Sequence, residues 1–502
     1  MSTKGDRHQG EVFHLGSNSN RIINPDPSLY NEDLAPIAKE KRNWGWGTYS
    51  MIWMGMVHNI VSYELAGSLI AMGMSVWQAL GAVILSNVFL IIAICFNSVG
   101  GAKYGLPFPV LIRASFGFKG AHVPVLIRAF VAIFWFAVQA YAGSKAVGAV
   151  LSVIYPNWVA LGHYSFLGMG LNDWISFGAF WLLHAWVISH GMERVRRFEM
   201  WAGPLVIVLG LGLVYWAVNV AHGFGPLFSV QSKLHGGQFW NSFFLSVTGM
   251  IGVLATLVLN IPDLTRFSKS QKDQVIGQAV GLPIMMTFFA FMSIMITAGT
   301  LIAFGKPITD PVQLLLQFHD HPVIVLIGAF ALLIATLSVN VVANVVSPAY
   351  DLINLLPSKL NFVKAGIISI LIGVFFAPWL WFNNSGTIFT IVGAIGGTLG
   401  PVSGIMIVDY FLVRKGEYDL NSFFVKNGQY SYRNGWNPRA FVAMVLGVIV
   451  ALIGLVVPSL QMLYTYNWFL GIAVGGISYY FLMPAKQQQY AKTLVEKSVS
   501  NE

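Results

Sequence analysis

Uncharged amide side chains inside long apolar segments are the residues of this sequence best suited to chemistry. Asn59, Gln139, Asn340 and Asn344 each lie near the middle of a predicted membrane span. Polar groups at that depth are costly in free energy and often mark the path of a solute. Because an amide both donates and accepts hydrogen bonds, these side chains suit a neutral ligand with C=O and N–H groups. Hydrogen bonding between helices is an equal alternative for any one of them.

An indole side chain strengthens the ligand-binding interpretation. Trp135 lies four residues before Gln139, so the two side chains share one face of a helix. Together they offer a flat apolar wall and a polar group that fixes orientation, as a planar heterocycle requires. Asn340 and Asn344 have the same spacing and also share a face. We therefore expect a site in which Trp135 packs on the ligand and the amides orient it.

Two charged residues, Glu64 and Lys145, follow these amides along the same two segments. Glu64 is about 7 Å beyond Asn59 along a helix, and Lys145 is about 9 Å beyond Gln139. Because both segments are predicted to cross the membrane in the same direction, the charges lie at similar depth. We expect them to form an ion pair, although separate extension of each side chain to water is an equal alternative.

No enzyme centre is visible in the sequence. It has no cluster of metal-ligating residues, no nucleophile beside a base and no GxxxxGK[ST] phosphate loop. The single cysteine, Cys95, excludes a disulfide within the chain and is expected to be a packing residue. We therefore predict that the protein is not an enzyme and needs no cofactor other than a coupling ion.

Long apolar segments must position these residues. Of the 502 residues, 56% are hydrophobic and 10% are charged, whereas a soluble domain carries about a quarter charged residues. Since about 20 apolar residues cross a bilayer, we predict an all-α polytopic membrane protein with twelve transmembrane helices. The predicted spans are roughly residues 46–69, 76–98, 124–154, 174–190, 200–221, 241–261, 277–304, 323–347, 364–383, 387–413, 440–459 and 466–484.

Lysine and arginine are concentrated on alternate loops. The N-terminal tail and the loops after the even-numbered spans carry nearly all of them, and the opposite loops carry only Lys233 and Lys306. Basic loops remain in the cytoplasm, so both termini are predicted to be cytoplasmic. The same bias accounts for the net charge of +9, which is therefore no argument for nucleic-acid binding.

Spans 1 and 6 both carry features that interrupt a helix. Span 1 has His58 and Asn59 at mid-depth, and span 6 has Gly249 and Gly252. Glycine is a weak helix former, and a helix end within a bilayer is tolerated only beside a cavity. Two interrupted helices five spans apart predict an inverted repeat with a ligand site at the midplane. Close helix packing is the alternative for the glycines.

These patterns divide the chain into five parts. They are a cytoplasmic tail that is flexible or lies on the cytoplasmic surface, a first repeat of spans 1–5, a second repeat of spans 6–10, a cytoplasmic loop with spans 11–12, and a cytoplasmic C-terminal tail. Their ranges are 1–45, 46–221, 222–413, 414–484 and 485–502. The glycine-rich stretch Gly393–Gly404 of span 10 is predicted either to bend as an outer gate or to pack tightly.

Longer motifs give the chain a family resemblance. It resembles the nucleobase–cation symporter-1 family, in particular its bacterial allantoin permeases and its hydantoin transporter, over nearly the whole length. The stretches that carry the resemblance are NEDLAPIAKEKRNW, MIWMGMVHN, GAKYGLPFPVLIRASFG, FWFAVQAYAGS, LNIPDLTRF, SVNVVANVVSPAYD and GGTLGPVSGIMIVDYFLVRKG. The resemblance implies the leucine-transporter fold, a five-plus-five inverted repeat with two further C-terminal helices, and transport by alternating access.

The resemblance also implies roles for individual residues. The family's stacking tryptophan and amide of span 3 correspond to Trp135 and Gln139, and its amides of spans 8 and 1 correspond to Asn344 and Asn59. The acidic residue that closes span 6 corresponds to Asp263, which is expected to support the site from behind or to take part in proton coupling.

Two positions depart from the family pattern. Leu254 stands where the family often has a second stacking tryptophan. A flat ring therefore loses one of its two aromatic contacts, whereas a puckered or smaller ligand loses less binding energy. The sodium ligands of the hydantoin member, three carbonyls and two hydroxyls, correspond to Gly55, His58, Ala335, Ser338 and Val339. Because valine has no side-chain oxygen and sodium prefers oxygen ligands, this departure argues against sodium coupling. Proton coupling is the alternative, with His58, Glu64 and Asp263 as the nearest titratable groups, although a structural hydrogen bond is favoured for His58.

Together these observations predict a cation symporter that imports a small nitrogen heterocycle across the bacterial cytoplasmic (inner) membrane. Allantoin is the leading substrate, and hydantoin, uracil or another nucleobase is the alternative. The coupling ion is Na⁺ or H⁺. The expected partners are the heterocycle and the lipid bilayer, with no nucleic acid, and the protein is expected to be a monomer. A passive channel is the competing class of protein.

Overall fold

The computed structural model describes residues 13–14, 21–190, 192–381 and 385–484. Within these ranges eight helices are long and apolar enough to cross a membrane, and three shorter apolar helices accompany them. The predicted spans fall on helical segments whose ends differ from the predicted ones by up to eight residues, as at the start of the helix Met192–Val220 and the end of the helix Ser347–Leu355. The predicted end of span 9, at residues 382–383, lies outside the described residues. The all-α polytopic architecture expected from the sequence is therefore confirmed.

The helices are numbered α1 to α20 in chain order. Their bounds are α1 Trp46–Val57, α2 Ile60–Ala71, α3 Val76–Tyr104, α4 Phe108–Leu111, α5 Arg113–Phe116, α6 His122–Ile154, α7 Leu171–Ser189, α8 Met192–Val220, α9 Phe224–Phe228, α10 Gly236–Asn260, α11 Pro262–Thr265, α12 Gln271–Phe304, α13 Pro311–Leu316, α14 Pro322–Val341, α15 Ser347–Leu355, α16 Phe362–Gly373, α17 Ser385–Val408, α18 Pro438–Leu452, α19 Gln461–Thr465 and α20 Asn467–Leu482.

Shorter elements complete the described chain. Two π-helical segments, Val342–Val346 and Asp409–Val413, continue α14 and α17. Two antiparallel pairs of two-residue strands join β1 Phe13–His14 to β2 Arg21–Ile22 and β3 Ser165–Phe166 to β4 Met169–Gly170. The 3₁₀ helices are Glu32–Leu34, Lys39–Lys41, Val159–His163, Val374–Phe376, Pro378–Leu380, Asn421–Phe423, Gln429–Ser431, Ile453–Leu455 and Pro458–Leu460.

Span 1 is interrupted where the sequence predicts it. Helix α1 ends at Val57 and α2 begins at Ile60, and Asn59 between them is extended with φ −147° and ψ 166°. The Oδ1 atom of Asn59 accepts a hydrogen bond from the backbone N–H of Ser62 at 3.0 Å. Asparagine is a favoured N-cap residue because its short side chain reaches this orphan donor. The cap therefore gives the second half of span 1 a defined start at mid-depth.

Span 6 does not break at its glycines, and that prediction is wrong. Helix α10 continues through Gly249 and Gly252 to Asn260, and the chain turns only before Pro262. A Cβ atom at Gly252 would lie 2.6 Å from the backbone oxygen of Val392 in α17. The glycine is thus required for a close approach between two helices, which is the packing alternative.

The glycine-rich stretch of span 10 is helical in the structure. Cβ atoms at Gly400 and Gly404 would lie 3.0 and 2.2 Å from the backbone oxygens of Trp468 and Ile472 in α20. Small residues here allow α17 and α20 to pack backbone to backbone. Bending of this stretch as a gate stays a prediction.

The N-terminal tail lies against the basic loops from Ile22 onward. The Asn31 side chain donates to the carbonyl oxygen of Pro357 at 2.6 Å, and a guanidinium N–H of Arg266 donates to the carbonyl oxygen of Asp33 at 2.8 Å. Trp44 forms an isolated parallel bridge with Ser268. These contacts favour the surface-bound alternative over a flexible tail for this part of the chain.

Candidate ligand-binding site

Trp135 and Gln139 are buried on α6 with polar atoms left unpaired. The two residues are 3% and 7% exposed. In the described part of the chain, neither Nε1 of Trp135 nor Oε1 of Gln139 has a hydrogen-bond partner. A buried polar atom without a partner costs about 1–3 kcal/mol. One donor and one acceptor at adjacent turns of α6 are therefore available for a ligand that fills this position.

The two span 8 amides have different roles. Nδ2 of Asn340 donates to the carbonyl oxygen of Phe136 at 3.2 Å and to Nε2 of His184 at 3.0 Å. Its Oδ1 accepts from Nδ2 of Asn344 at 2.9 Å. Asn340 thus uses both polar atoms within the protein, and its contact with a ligand stays a prediction. Asn344 donates through its Nδ2, so its Oδ1 is the atom of this side chain that can accept.

Asn59 is likewise committed to bonds within the protein. Besides its cap on Ser62, its Nδ2 donates to the carbonyl oxygen of Met56 at 3.2 Å and to the Ser62 hydroxyl at 2.9 Å. These bonds shape the break of span 1, and the direct role of Asn59 in orienting the ligand stays a prediction. Leu254 is 7% exposed on α10 and belongs to the same cluster of buried apolar side chains as Trp135.

The candidate cation ligands lie where the break of span 1 meets span 8. Because α1 ends at Val57, the carbonyls of its last turn, which includes Gly55, lack the amide donors of a continuing helix. Ser338 on α14 is fully buried, and its hydroxyl has no partner among the described residues. Ala335 lies one turn before it, and Val339 contributes only a hydrocarbon side chain. The residues present fit a cation site that has one oxygen ligand fewer than the family pattern.

His58 is held by a local hydrogen bond. Its Nδ1 bonds to the carbonyl oxygen of Met54 in the preceding turn. Its ring packs edge-on against Phe289 of α12, with centroids 4.6 Å apart and planes at 62°. This is the structural role favoured from the sequence, and a role in proton coupling stays a prediction.

The charged residues beyond the amides form a cluster that includes a residue missed in the sequence. Nζ of Lys145 lies 3.4 Å from Oδ2 of Asp310, whose Oδ1 accepts from the backbone N–H of Val312 and caps α13. Glu64 interacts electrostatically with both charges. Glu64, Lys145 and Asp310 therefore form a group of three charges that includes an ion pair between Lys145 and Asp310, and a direct Glu64–Lys145 ion pair stays a prediction.

Asp263 bonds to the start of the short helix α4, and its support of the site or its part in proton coupling stays a prediction. Its Oδ1 accepts from the backbone N–H of Phe108 at 2.8 Å, which fixes the start of α4. Nearby, Nη1 of Arg128 lies 2.6 Å from Oδ2 of Asp351, and both side chains are fully buried. Arg128 lies within the predicted span 3, near its start, and a charge inside an apolar span is the sequence signal that indicates a buried partner.

Comparisons with known proteins agree with this architecture. A family model described as "Permease for cytosine/purines, uracil, thiamine, allantoin" matches residues 36–471. The chain is 46% identical to the allantoin permease of Bacillus subtilis, over 91% of this chain and 93% of that protein. It is 38% identical to the purine-uracil permease of Arabidopsis thaliana, over 84% of this chain and 71% of that protein.

Among solved structures, the chain is similar to Mhp1, a nucleobase-cation-symport-1 family transporter, in a closed conformation with bromovinylhydantoin bound. The TM-score is 0.78 at 21% identity, and the match covers 93% of this chain and 96% of that chain. At this identity the likeness concerns the fold alone. It agrees with the predicted helical repeat architecture with two additional C-terminal helices.

Proposed function

Because the chain belongs to the family of permeases for cytosine/purines, uracil, thiamine and allantoin, as its motifs predict, we propose that it imports allantoin. Permeases move a solute across a membrane, so the protein is a transporter and not an enzyme. The bacterial relative named an allantoin permease supports this substrate, since nearly half of the aligned residues are identical. The proposed location is the bacterial cytoplasmic membrane, with both termini in the cytoplasm and the protein a monomer.

The observation that carries the proposal is the pair of unpaired polar atoms on α6, Nε1 of Trp135 and Oε1 of Gln139. The indole N–H can donate and the Gln139 oxygen can accept. The side-chain oxygen of Asn344 is proposed as a second acceptor, since its Nδ2 already donates to Asn340. Allantoin is a neutral hydantoin ring with several N–H donors and C=O acceptors, so it can pair with all three. Its ureido group stands on a tetrahedral ring carbon, which makes the molecule less flat than a nucleobase. Leu254 in place of a second indole suits such a puckered solute.

Uptake is proposed to follow alternating access and to be driven by protons. In the family mechanism, spans 1, 2, 6 and 7 move against spans 3, 4, 8 and 9. Gly55, His58 and Ala335 supply only backbone oxygens to the candidate sodium site, and Ser338 supplies its one hydroxyl. Because a hard cation gains affinity from each added oxygen ligand, a site with Val339 in the fifth position binds sodium weakly. Hydantoin and uracil are the alternative substrates.

The experiment is uptake of radiolabelled allantoin by proteoliposomes that contain the purified protein. An imposed pH gradient, acidic outside, is expected to drive accumulation above the external concentration, and a protonophore is expected to abolish it. Replacement of sodium by choline is expected to leave uptake unchanged. Equilibration without accumulation would indicate a channel. Accumulation that requires a sodium gradient would overturn proton coupling and leave the allantoin assignment intact.

Competition tests the substrate separately from the ion. Excess unlabelled allantoin is expected to inhibit uptake more strongly than equal concentrations of hydantoin or uracil. A stronger effect of uracil would replace allantoin with a nucleobase as the substrate. The Gln139→Leu variant, whose binding site is expected to be weakened, serves as the control in the same vesicles.

A further inference from the structure

Behind the candidate site lies a buried histidine that was not among the predicted site residues. His184, on α7, has no exposed surface. Its Nδ1 lies 2.8 Å from the carbonyl oxygen of Phe180 in the preceding turn. Its Nε2 lies 3.0 Å from Nδ2 of Asn340 on α14. The rings of Phe136 and Phe180 pack edge-on against the imidazole at 5.1 and 4.7 Å, so the ring has one orientation.

The direction of each hydrogen bond in this group follows from its chemistry. A backbone carbonyl only accepts, so Nδ1 of His184 carries the proton that bonds to Phe180. In the neutral imidazole Nε2 is then an acceptor, and Asn340 must turn its NH₂ group towards it. The carbonyl oxygen of Phe136, 3.2 Å from the same Nδ2, can likewise only accept. Two independent acceptors on two different helices therefore fix the orientation of the Asn340 amide.

The orientation of Asn340 sets that of Asn344. Oδ1 of Asn340 faces Asn344, whose Nδ2 donates to it at 2.9 Å. A rotated Asn344 would place two carbonyl oxygens against each other without a hydrogen. Asn344 also lies in the π-helical segment Val342–Val346, and such segments occur frequently at functional sites. This orientation turns Oδ1, the acceptor of the Asn344 amide, away from Asn340.

We propose that His184 and Asn340 are positioning residues that hold Asn344 as a hydrogen-bond acceptor, so that the site selects heterocycles that present a ring N–H to span 8. The proposal rests on the proposed function and deepens it by naming a chemical feature of the substrate. A solute that offers a ring oxygen at that position would face Oδ1 of Asn344 without a hydrogen between them. A site built to hydrogen-bond an N–H group discriminates strongly against analogues that lack it.

The test compares inhibition of allantoin uptake by hydantoin, by the isosteric oxazolidinedione, in which an oxygen replaces one ring N–H, and by the two N-methylhydantoins. Wild-type protein is expected to prefer hydantoin by at least about tenfold over one or more of these analogues. In Asn340→Leu the amide of Asn344 is free to rotate, and in His184→Leu the Asn340 amide keeps only its weaker contact with the Phe136 carbonyl. The preference is expected to fall to about threefold or less in both variants. His184→Gln restores an acceptor near the position of Nε2 and is expected to retain the wild-type preference.

A matched control makes the same change at a buried amide elsewhere. Nδ2 of Asn97 donates to the carbonyl oxygen of Val258 and to the Ser403 hydroxyl, at 3.0 and 2.9 Å. Asn97→Leu is expected to lower the melting temperature and leave the preference for hydantoin unchanged. If Asn340→Leu does not accumulate in the membrane, the comparison of His184→Leu with His184→Gln tests the positioning role by itself.

The outcomes separate the two proposals. Folded leucine variants that keep the wild-type preference overturn the positioning role, as does a wild-type protein that binds all analogues equally. A His184→Gln variant that behaves as His184→Leu does also overturns it, because the acceptor is then irrelevant. Wild-type protein that neither takes up allantoin nor binds hydantoin overturns the proposed function itself.

Discussion

Replacement of Gln139 by leucine should weaken ligand binding without a loss of stability. The side chain is 7% exposed and its Oε1 has no partner among the described residues, so the free protein already bears the cost of a buried acceptor. Leucine has a similar volume and removes that acceptor, and the melting temperature should stay equal or rise. The bound ligand loses one buried hydrogen bond and keeps an unpaired donor of its own. That loss is about 1–3 kcal/mol, or roughly a tenfold to hundredfold weaker affinity.

The assay measures allantoin affinity and melting temperature on the same purified samples. Gln278→Leu is the matched control, since Nε2 of Gln278 donates to the Ser98 hydroxyl at 2.9 Å and to Gln274 at 2.5 Å. That variant should melt at a lower temperature and bind allantoin with nearly wild-type affinity. A Gln139→Leu protein that binds as tightly as the wild type would refute the placement of the ligand on α6. A large drop in its melting temperature would refute the claim that its oxygen is unpaired.

Three further changes have defined outcomes. Val339→Thr adds a hydroxyl beside Ser338 and so supplies one more oxygen ligand to the candidate sodium site. Sodium should then stimulate uptake at least about threefold, measured by titration of sodium against choline. Leu254→Trp adds a second aromatic wall, so competition profiles should move towards flat rings such as uracil and away from allantoin; unchanged profiles would count against the position of Leu254. Arg128→Met leaves the buried carboxylate of Asp351 uncompensated and should lower stability by about 3–5 kcal/mol, measured by thermal unfolding, whereas the double replacement with Asp351→Leu should recover much of that loss.

Span positions were predictable because they depend on local composition. Span 3 was expected at residues 124–154 and is observed as His122–Ile154, since a long apolar run has no other stable form in a bilayer. The break of span 1 was also predictable from the sequence, because Asn59 caps a helix within a single short segment. Local signals of this kind need no knowledge of the partner helix.

Features that depend on a distant partner were not predictable. In the sequence, Gly252 is consistent both with a helix break and with a close contact between helices. Only the position of Val392 distinguishes the two. Asp310 follows span 7 and pairs with Lys145 of span 3, a contact that no pattern in either segment encodes. The role of Asn340 in bonding to His184 has the same origin. The amides were correctly identified as polar residues at depth, but their partners came from the tertiary fold.

An experimental structure of the protein with allantoin bound is the most direct test of the central claim. The hydantoin ring is expected to lie against the indole of Trp135, with Oε1 of Gln139 and Oδ1 of Asn344 each about 3 Å from a ligand nitrogen. Density for allantoin at another place in the protein, or a ligand at this place with both oxygens turned away from it, would contradict this position of the site.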